Sequence, residues 1–194
     1  MARQREFDKQ QVIERAMLLF WQQGYEATSM RDLQKATGIS SSSMYEVFGD
    51  KRALFLAALA YFCTLERAKV AQMADMVPTP QAFLEQLFAS VELVALPDSR
   101  TQGSMAFNAM VEFGTQDTDI TTLLLAHYFG IAEIIAAVMK QGQADGMITS
   151  QESPENLAFT ILSTLQGLAT VKGVKPDFPY VHAITQLIVK LLKL

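Results

Sequence analysis

Apolar residues recur along this chain at intervals of three and four rather than two, the pattern of helices that bury one face. Val12, Ile13, Ala16, Met17 and Phe20 form the first such stripe. Asp8 precedes it as an N-cap, and Phe7 and Val12 are placed to close a hydrophobic staple. Gly24 supplies a left-handed stop, with Tyr25 after it. A short second helix begins at "TSMRDL", where Ser29 and Asp32 have capping-box spacing and Met30 and Leu33 form an apolar edge. It ends at Thr37-Gly38, and a third helix runs from about Ser40 to Phe48. Gly49-Asp50 then breaks the chain and caps a fourth.

Beyond Lys51 the helices lengthen. The pattern predicts helices over about 51–75, 80–95, 104–115, 119–142, 154–172 and 179–193. "VPTP" and Leu96-Pro97 are stops, "PDSRTQG" is a loop, and Gly142 and Gly146 punctuate a turn in "QGQADGM". Ser153-Pro154 and Asp177-Phe178-Pro179 are helix starts, because proline is tolerated in a first turn. Almost no segment alternates as a half-buried strand does, and no internal repeat is visible, so the fold class is all-α.

Composition agrees. The chain has 194 residues, 50% of them hydrophobic and 19% charged, which suffices for a substantial core. The net charge of −4 is unevenly spread: residues 1–52 carry a net of +1 and residues 53–194 a net of −5. A small balanced head is thus joined to an acidic body, with the domain boundary expected at residues 52 and 53. The single cysteine, Cys63, excludes an internal disulfide and a multi-cysteine metal site, and reads as a buried small apolar residue. "MARQREFDKQQ" lacks the apolar centre of a secretory signal. No stretch free of charged residues reaches the ~20 that a membrane span needs, so a cytoplasmic protein without a membrane partner is expected.

Four consecutive serines, Ser40 to Ser43, run straight into the apolar "MYEVF". Serine is a mediocre helix former, since its hydroxyl competes for backbone groups, so packing does not account for it. Two short helices joined by a glycine-containing turn fit a helix-turn-helix whose second helix enters the major groove, although such spacing also arises by chance.

The stretch "ERAMLLFWQQGYEATSMRDLQKATGISSSSMYEVFGDKRALF" closely resembles the N-terminal DNA-binding region of TetR/AcrR-type transcriptional regulators. The signature lies in Ala16, Phe20, Gly24-Tyr25, Ser29 to Leu33, Gly38-Ile39-Ser40, Tyr45, Phe48, Lys51 and Leu54, and covers about residues 10 to 60. "GSMAFNAMVEFGTQD" and "LSTLQGLATV" look like segments of one regulatory-domain subgroup. The resemblance implies a three-helix N-terminal reader, a larger helical body for ligand binding and dimerisation, a homodimer, and a repressor that leaves its operator when a small molecule binds.

By that resemblance the base and phosphate contacts fall on Arg31, Ser41, Ser42, Ser43, Tyr45 and Lys51. Small hydroxyls at a helix start let backbone approach DNA, while free N–H groups and the helix dipole favour phosphate. Arg31 is the candidate for a bidentate guanine contact, and Lys51 for a phosphate contact. Tyr45 offers its phenol to a phosphate with its ring packed against the head. Arg3 and Arg5 are candidates for a minor-groove arm, or simply a loose terminus. Some positions depart from the family's habit. Val47 replaces a frequent histidine, Gln34 and Thr37 replace small apolar residues, and Glu46 and Asp50 bring negative charge towards phosphate.

In the body, Leu157, Ile161, Leu165 and Leu168 on one helix and Ile184, Leu187, Ile188 and Leu191 on another are the expected dimer interface. Both helices are apolar beyond one stripe, and a second copy can cover the remainder as a four-helix interface. Aromatics and methionines crowd the middle helices, and an apolar ligand cavity with a few polar groups is expected among them. Phe107, Asn108, Glu112 and His127 are the candidates for contacts to an unnamed effector, although a histidine there is more commonly an ordinary surface or partly buried one. No cofactor or metal is implied. A phosphate-cradling glycine loop and a nucleophile motif are both missing, and the two histidines lie far apart, so an enzyme is not expected. A helical protein-interaction module that binds no operator is the competing reading.

Overall fold

The helix signals become helix ends. The computed structural model describes residues 7–93, 103–175 and 177–192. Among them are nine helices and no strand: α1 (Lys9–Gln23), α2 (Met30–Thr37), α3 (Ser41–Phe48), α4 (Lys51–Met76), α5 (Pro80–Leu93), α6 (Met105–Phe113), α7 (Thr118–Ala144), α8 (Pro154–Val174) and α9 (Val181–Leu192). Capping explains most of the starts. Asp8 accepts from the Gln10 amide at 2.8 Å, and Asp50 from that of Ala53 at 2.7 Å. Ser29 and Asp32 close a full capping box at α2. Ser153 caps α8, with Pro154 in its first turn.

Two apolar cores form. The first joins α1, α2 and α3 to the first half of α4, to α6 and to the start of α7, around Phe20, Leu33, Met44, Phe55, Leu59 and Ile120. The second joins the end of α4 to α5, α7, α8 and α9, around Phe83, Leu84, Phe88, Ile135, Met139 and Ile161. α4 and α7 contribute to both. The head's core therefore does not close at residue 52; it runs through Leu54 and Phe62 to Cys63 and takes in Met105, Ala106 and Ala109 of α6. Cys63 is buried, and burial pushes its thiol up to about 12, leaving an inert apolar filler.

Several boundaries differ from expectation. α6 stops at Phe113, where Gly114 caps it, and α9 starts at Val181. Residues 94 and 95, most of "PDSRTQG", and Arg3 and Arg5 lie outside the described residues. α7 runs on past Gly142 to Ala144, because that glycine closes no turn. It is buried in the helix, and a Cβ there would stand 2.6 Å from Cγ of Pro80 and 2.8 Å from Cδ1 of Ile148. Its carbonyl accepts from the amides of Met147 and Ile148, both at 2.9 Å, folding the next segment over the helix end. Gly146, at φ 72°, supplies the left-handed residue.

α7 and α8 are long and apolar enough to cross a bilayer by length and composition. Both are core helices: α7 buries Ile120, Leu124, Ile131, Ile135 and Met139, and α8 buries Leu157, Ala158, Ile161, Leu162 and Leu168. Their apolarity follows from having several neighbours to cover, α4, α5, α6 and α8 for α7 and α5 and α7 for α8.

Gly142→Ala gains about 1 kcal/mol of helix propensity but forces a methyl into a rigid proline ring, an overlap costing ~1–3 kcal/mol or more. The expected outcome is a net loss of stability, read as a lower urea midpoint with an unchanged slope.

Candidate nucleic-acid interface

α3 is anchored by one side. Met44 is buried and Phe48 half-buried, while Ser42, Tyr45, Glu46 and Val47 face solvent. The serines divide the work. Ser40 is the N-cap: its Oγ accepts from the Ser43 amide at 3.1 Å and lies 2.8 Å from Oγ of Ser42 and 2.9 Å from Oγ of Ser43. Three hydroxyls thus share hydrogen bonds at the helix start, with Ser41 and Ser43 half-buried and Ser42 exposed. Small hydroxyls cap the helix and leave no bulk in front of it.

Tyr45 is 52% exposed. The expectation that its ring packs against the head is not met, because Met44 and Phe48 take the inward positions of α3 and turn residue 45 outward. Arg31, the second residue of α2, is also exposed. Lys51 opens α4 with its Nζ 4.2 Å from the centre of the Tyr25 ring, a cation–π contact that orients the ammonium. The departures at this surface have local causes. Asp50 serves as the α4 cap. Thr37 is buried with its hydroxyl donating to the Leu33 carbonyl at 2.6 Å, and Arg15 donates to the Thr37 carbonyl at 3.1 Å, so a polar residue packs there at no deficit.

Behind this surface sits the joint to the body. Gly24, at φ 80°, ends α1, and the exposed Tyr25 and Glu26 amides after it donate to the two oxygens of Glu112 on α6, at 3.0 and 2.8 Å. A Cβ on Gly24 would lie 3.3 Å from that carboxylate. Next to it, Tyr25, Phe55 and Phe113 pack ring on ring, with centroids 5.0 to 5.2 Å apart. A second tie joins the start of α4 to the turn before α7. The Arg52 guanidinium meets Asp117 at 2.6 and 2.7 Å and Asp119 at 2.7 Å. These bonds hold the Asp117 carboxyl down at about 2 and push the Arg52 guanidinium up.

Residues 12–58 match the family described as "Bacterial regulatory proteins, tetR family". The HTH-type transcriptional repressor ComR of Escherichia coli (strain K12) is 29% identical over 164 residues, 84% of this chain and 78% of that protein. Among solved structures, a cysteine mutant of the TetR family transcriptional regulator CifR, complexed with 26bp double-strand operator DNA, superposes with a TM-score of 0.80 at 26% identity, covering 97% of this chain and 98% of that one. A TetR family regulator from Cytophaga hutchinsonii shares the fold, with a TM-score of 0.83 over 97% of both chains at 18% identity. This chain belongs to the TetR family. It is a DNA-binding transcriptional regulator.

The regulator has a cavity of ≈ 300 Å³ in its body, mostly apolar, walled by α1, α4, α5, α6, α7 and α8. Of the four expected ligand contacts, Phe107 and His127 line it. Asn108 and Glu112 do not: they lie four residues apart on the exposed side of α6, and Glu112 holds the head instead. His127 is only 6% exposed; its Nε2 lies 2.9 Å from Oε2 of Glu66, which also accepts from Oγ of Ser104 at 3.1 Å. Nδ1 of His127 is buried without a partner, a deficit of about 1–3 kcal/mol for such a group. The sequence reading missed Glu66 and Trp21, both in the wall. Glu66 was legible as the acid at helical spacing from Phe62 and Val70, on an otherwise apolar stripe. Among the described residues no group of His, Cys, Asp or Glu side chains is gathered to hold a metal ion.

The expected dimer residues split. Leu157, Ile161 and Leu168 are buried in the subunit's own core, because α5 and α7 cover that side of α8, and they are not available to a second chain. Leu165, Ile184 and Ile188 are half-buried, while Leu187 and Leu191 are 54% and 67% exposed.

The depressed Asp117 carboxyl makes the Arg52 tie sensitive to acid. Its stabilising contribution is complete above the ordinary value of 3.8 and disappears as pH falls through about 2. Asp117→Asn keeps the cap on α7 and removes the charge. Urea unfolding should show the variant less stable than the parent at pH 7, with the gap closing in that acid window.

Proposed function

We propose that this chain is a repressor that grips a palindromic operator as a homodimer and lets go when a small molecule fills the body cavity. The carrying observation is the outward face of α3, small hydroxyls and an exposed Tyr45, with an oriented Lys51 at the start of α4, in a chain that superposes along its length on a regulator complexed with operator DNA. Arg31, Ser41, Ser42, Ser43, Tyr45 and Lys51 make the contacts, and residues 1–52 are the part that meets the duplex. Ser42 and Tyr45 are exposed to do so, whereas Ser43 is half-buried; both serine hydroxyls are already bonded to the Ser40 cap. Tyr45 and Lys51 take phosphates, which fix register, and Arg31 reads a base edge. The protein acts in the cytoplasm.

Leu187 and Leu191, with the half-buried Ile184 and Ile188, support pairing of α8 and α9 with their copies. Such a pair sets the two reading heads about one DNA turn apart, ~34–36 Å. Signal passes through α6. Ala106, Phe107 and Met110 of that helix line the cavity, and Glu112 and Phe113 on its last turn hold the corner after α1. A molecule that shifts α6 therefore shifts the head. Met17 and Trp21 of α1 also stand in the cavity wall, so the head senses the occupant directly.

Operator sequence is obtained by selecting bound duplexes from a random pool. Tyr45→Ala and Lys51→Ala should each remove most affinity for the selected duplex at ~0.15 M salt while light scattering still reports a dimer, and Lys51→Ala should flatten the log–log salt slope by about one. Affinity equal to that of the parent in both variants refutes the reading. Glu112→Ala, which unties α6 from the head, should leave ligand binding intact and shrink the ligand-induced loss of operator affinity, measured by fluorescence anisotropy of labelled duplex.

A further inference from the structure

We infer that the cavity takes an uncharged, largely apolar molecule that carries a single hydroxyl donor, a phenol or an alcohol, and that His127 receives that proton donor on Nδ1. The inference rests on reading the cavity as the effector site. Most of the wall is hydrocarbon and aromatic: Phe62, Met73, Phe107, Tyr128, Leu162 and their neighbours leave ≈ 300 Å³ for an apolar body. Among the polar wall residues, Glu66, Ser104 and His127 are bonded to one another where α4, α6 and α7 meet.

Glu66 decides the chemistry. Its Oε2 is an acceptor for both the Ser104 hydroxyl and the His127 ring, so the ring donates through Nε2–H. A neutral imidazole that donates there presents a lone pair at Nδ1. That atom is the one buried side-chain nitrogen or oxygen among the described residues with no partner. For the neutral ring, the form inferred here, the missing group is a donor. A hydroxyl satisfies it without adding charge. A carboxylate would have to enter beside the Glu66 carboxylate, and Lys69, the cationic residue in the wall, is exposed at the rim. An apolar molecule with no donor would fill the space and leave the nitrogen orphaned.

Trp21, the only tryptophan of the chain, lines the cavity, with its indole N–H donating to the Gly103 carbonyl at 3.0 Å, so its emission reports occupancy with no DNA present. The probes are 4-butylphenol, its methyl ether and 4-butylbenzoate, titrated into the full-length protein. The expected result is that the phenol binds at least about tenfold more tightly than the ether, and the benzoate more weakly still. His127→Leu should bring the phenol to the level of the ether; if that variant does not fold, the ligand series on the parent protein decides by itself. Equal affinity for phenol and ether, tightest binding of the benzoate, or unchanged Trp21 emission with all three at their solubility limits overturns the proposal. Operator release is measured separately. A phenol that fills the cavity while the selected duplex stays bound leaves the ligand class standing and refutes the effector reading.

Discussion

The carboxylate of Glu112 holds two parts of the molecule in register. After Gly24 the chain leaves α1 with two amide groups that no helix can use, and the last turn of α6 brings one carboxylate to both. The geometry admits little slack: a side chain on Gly24 would crowd the carboxylate, and the ring of Tyr25 is pinned by Phe55 and Phe113. Tyr25 in turn aims Lys51. A single corner thus connects the hydrophobic core of the head, a helix that walls the cavity, and Lys51 on the surface proposed to meet DNA. Moving α6 without disturbing that surface would require breaking these contacts.

The two polar centres of the molecule are built on opposite principles. At the start of α3 the hydroxyls of Ser40, Ser42 and Ser43 satisfy one another and the backbone, so the surface is settled before any partner arrives. In the cavity, Glu66, Ser104 and His127 form a chain that stops one bond short. A settled surface suits a partner whose backbone is everywhere alike, since phosphate contacts position without selecting. An unfinished hydrogen-bond chain inside an apolar wall suits discrimination among small molecules, because a ligand lacking the complementary group leaves a buried atom unpaired.

Local chemistry alone was enough to reveal all nine helices among the described residues, because caps and stops act over three or four residues and need no distant partner. Asp8, Ser29, Asp50 and Ser153 each cap the helix their position suggests, and Ser40, read as the start of the third helix, is its cap. The stretch over about residues 10 to 60 was likewise legible as a reader of DNA, through its resemblance to a known DNA-binding region. Tertiary structure decided which side each residue faces. Glu112 reads in sequence as a polar group in apolar surroundings, which fits a cavity as well as a joint; only the approach of the corner after α1 makes it a clamp. Gly142 reads as a turn and is a packing site, because Pro80, far away in the chain at the start of α5, touches it. Leu157, Ile161 and Leu168 read as an interface and are core, since α5 and α7 reach them first. Sequence records how apolar a helix is, and folding determines how many neighbours share that apolar surface.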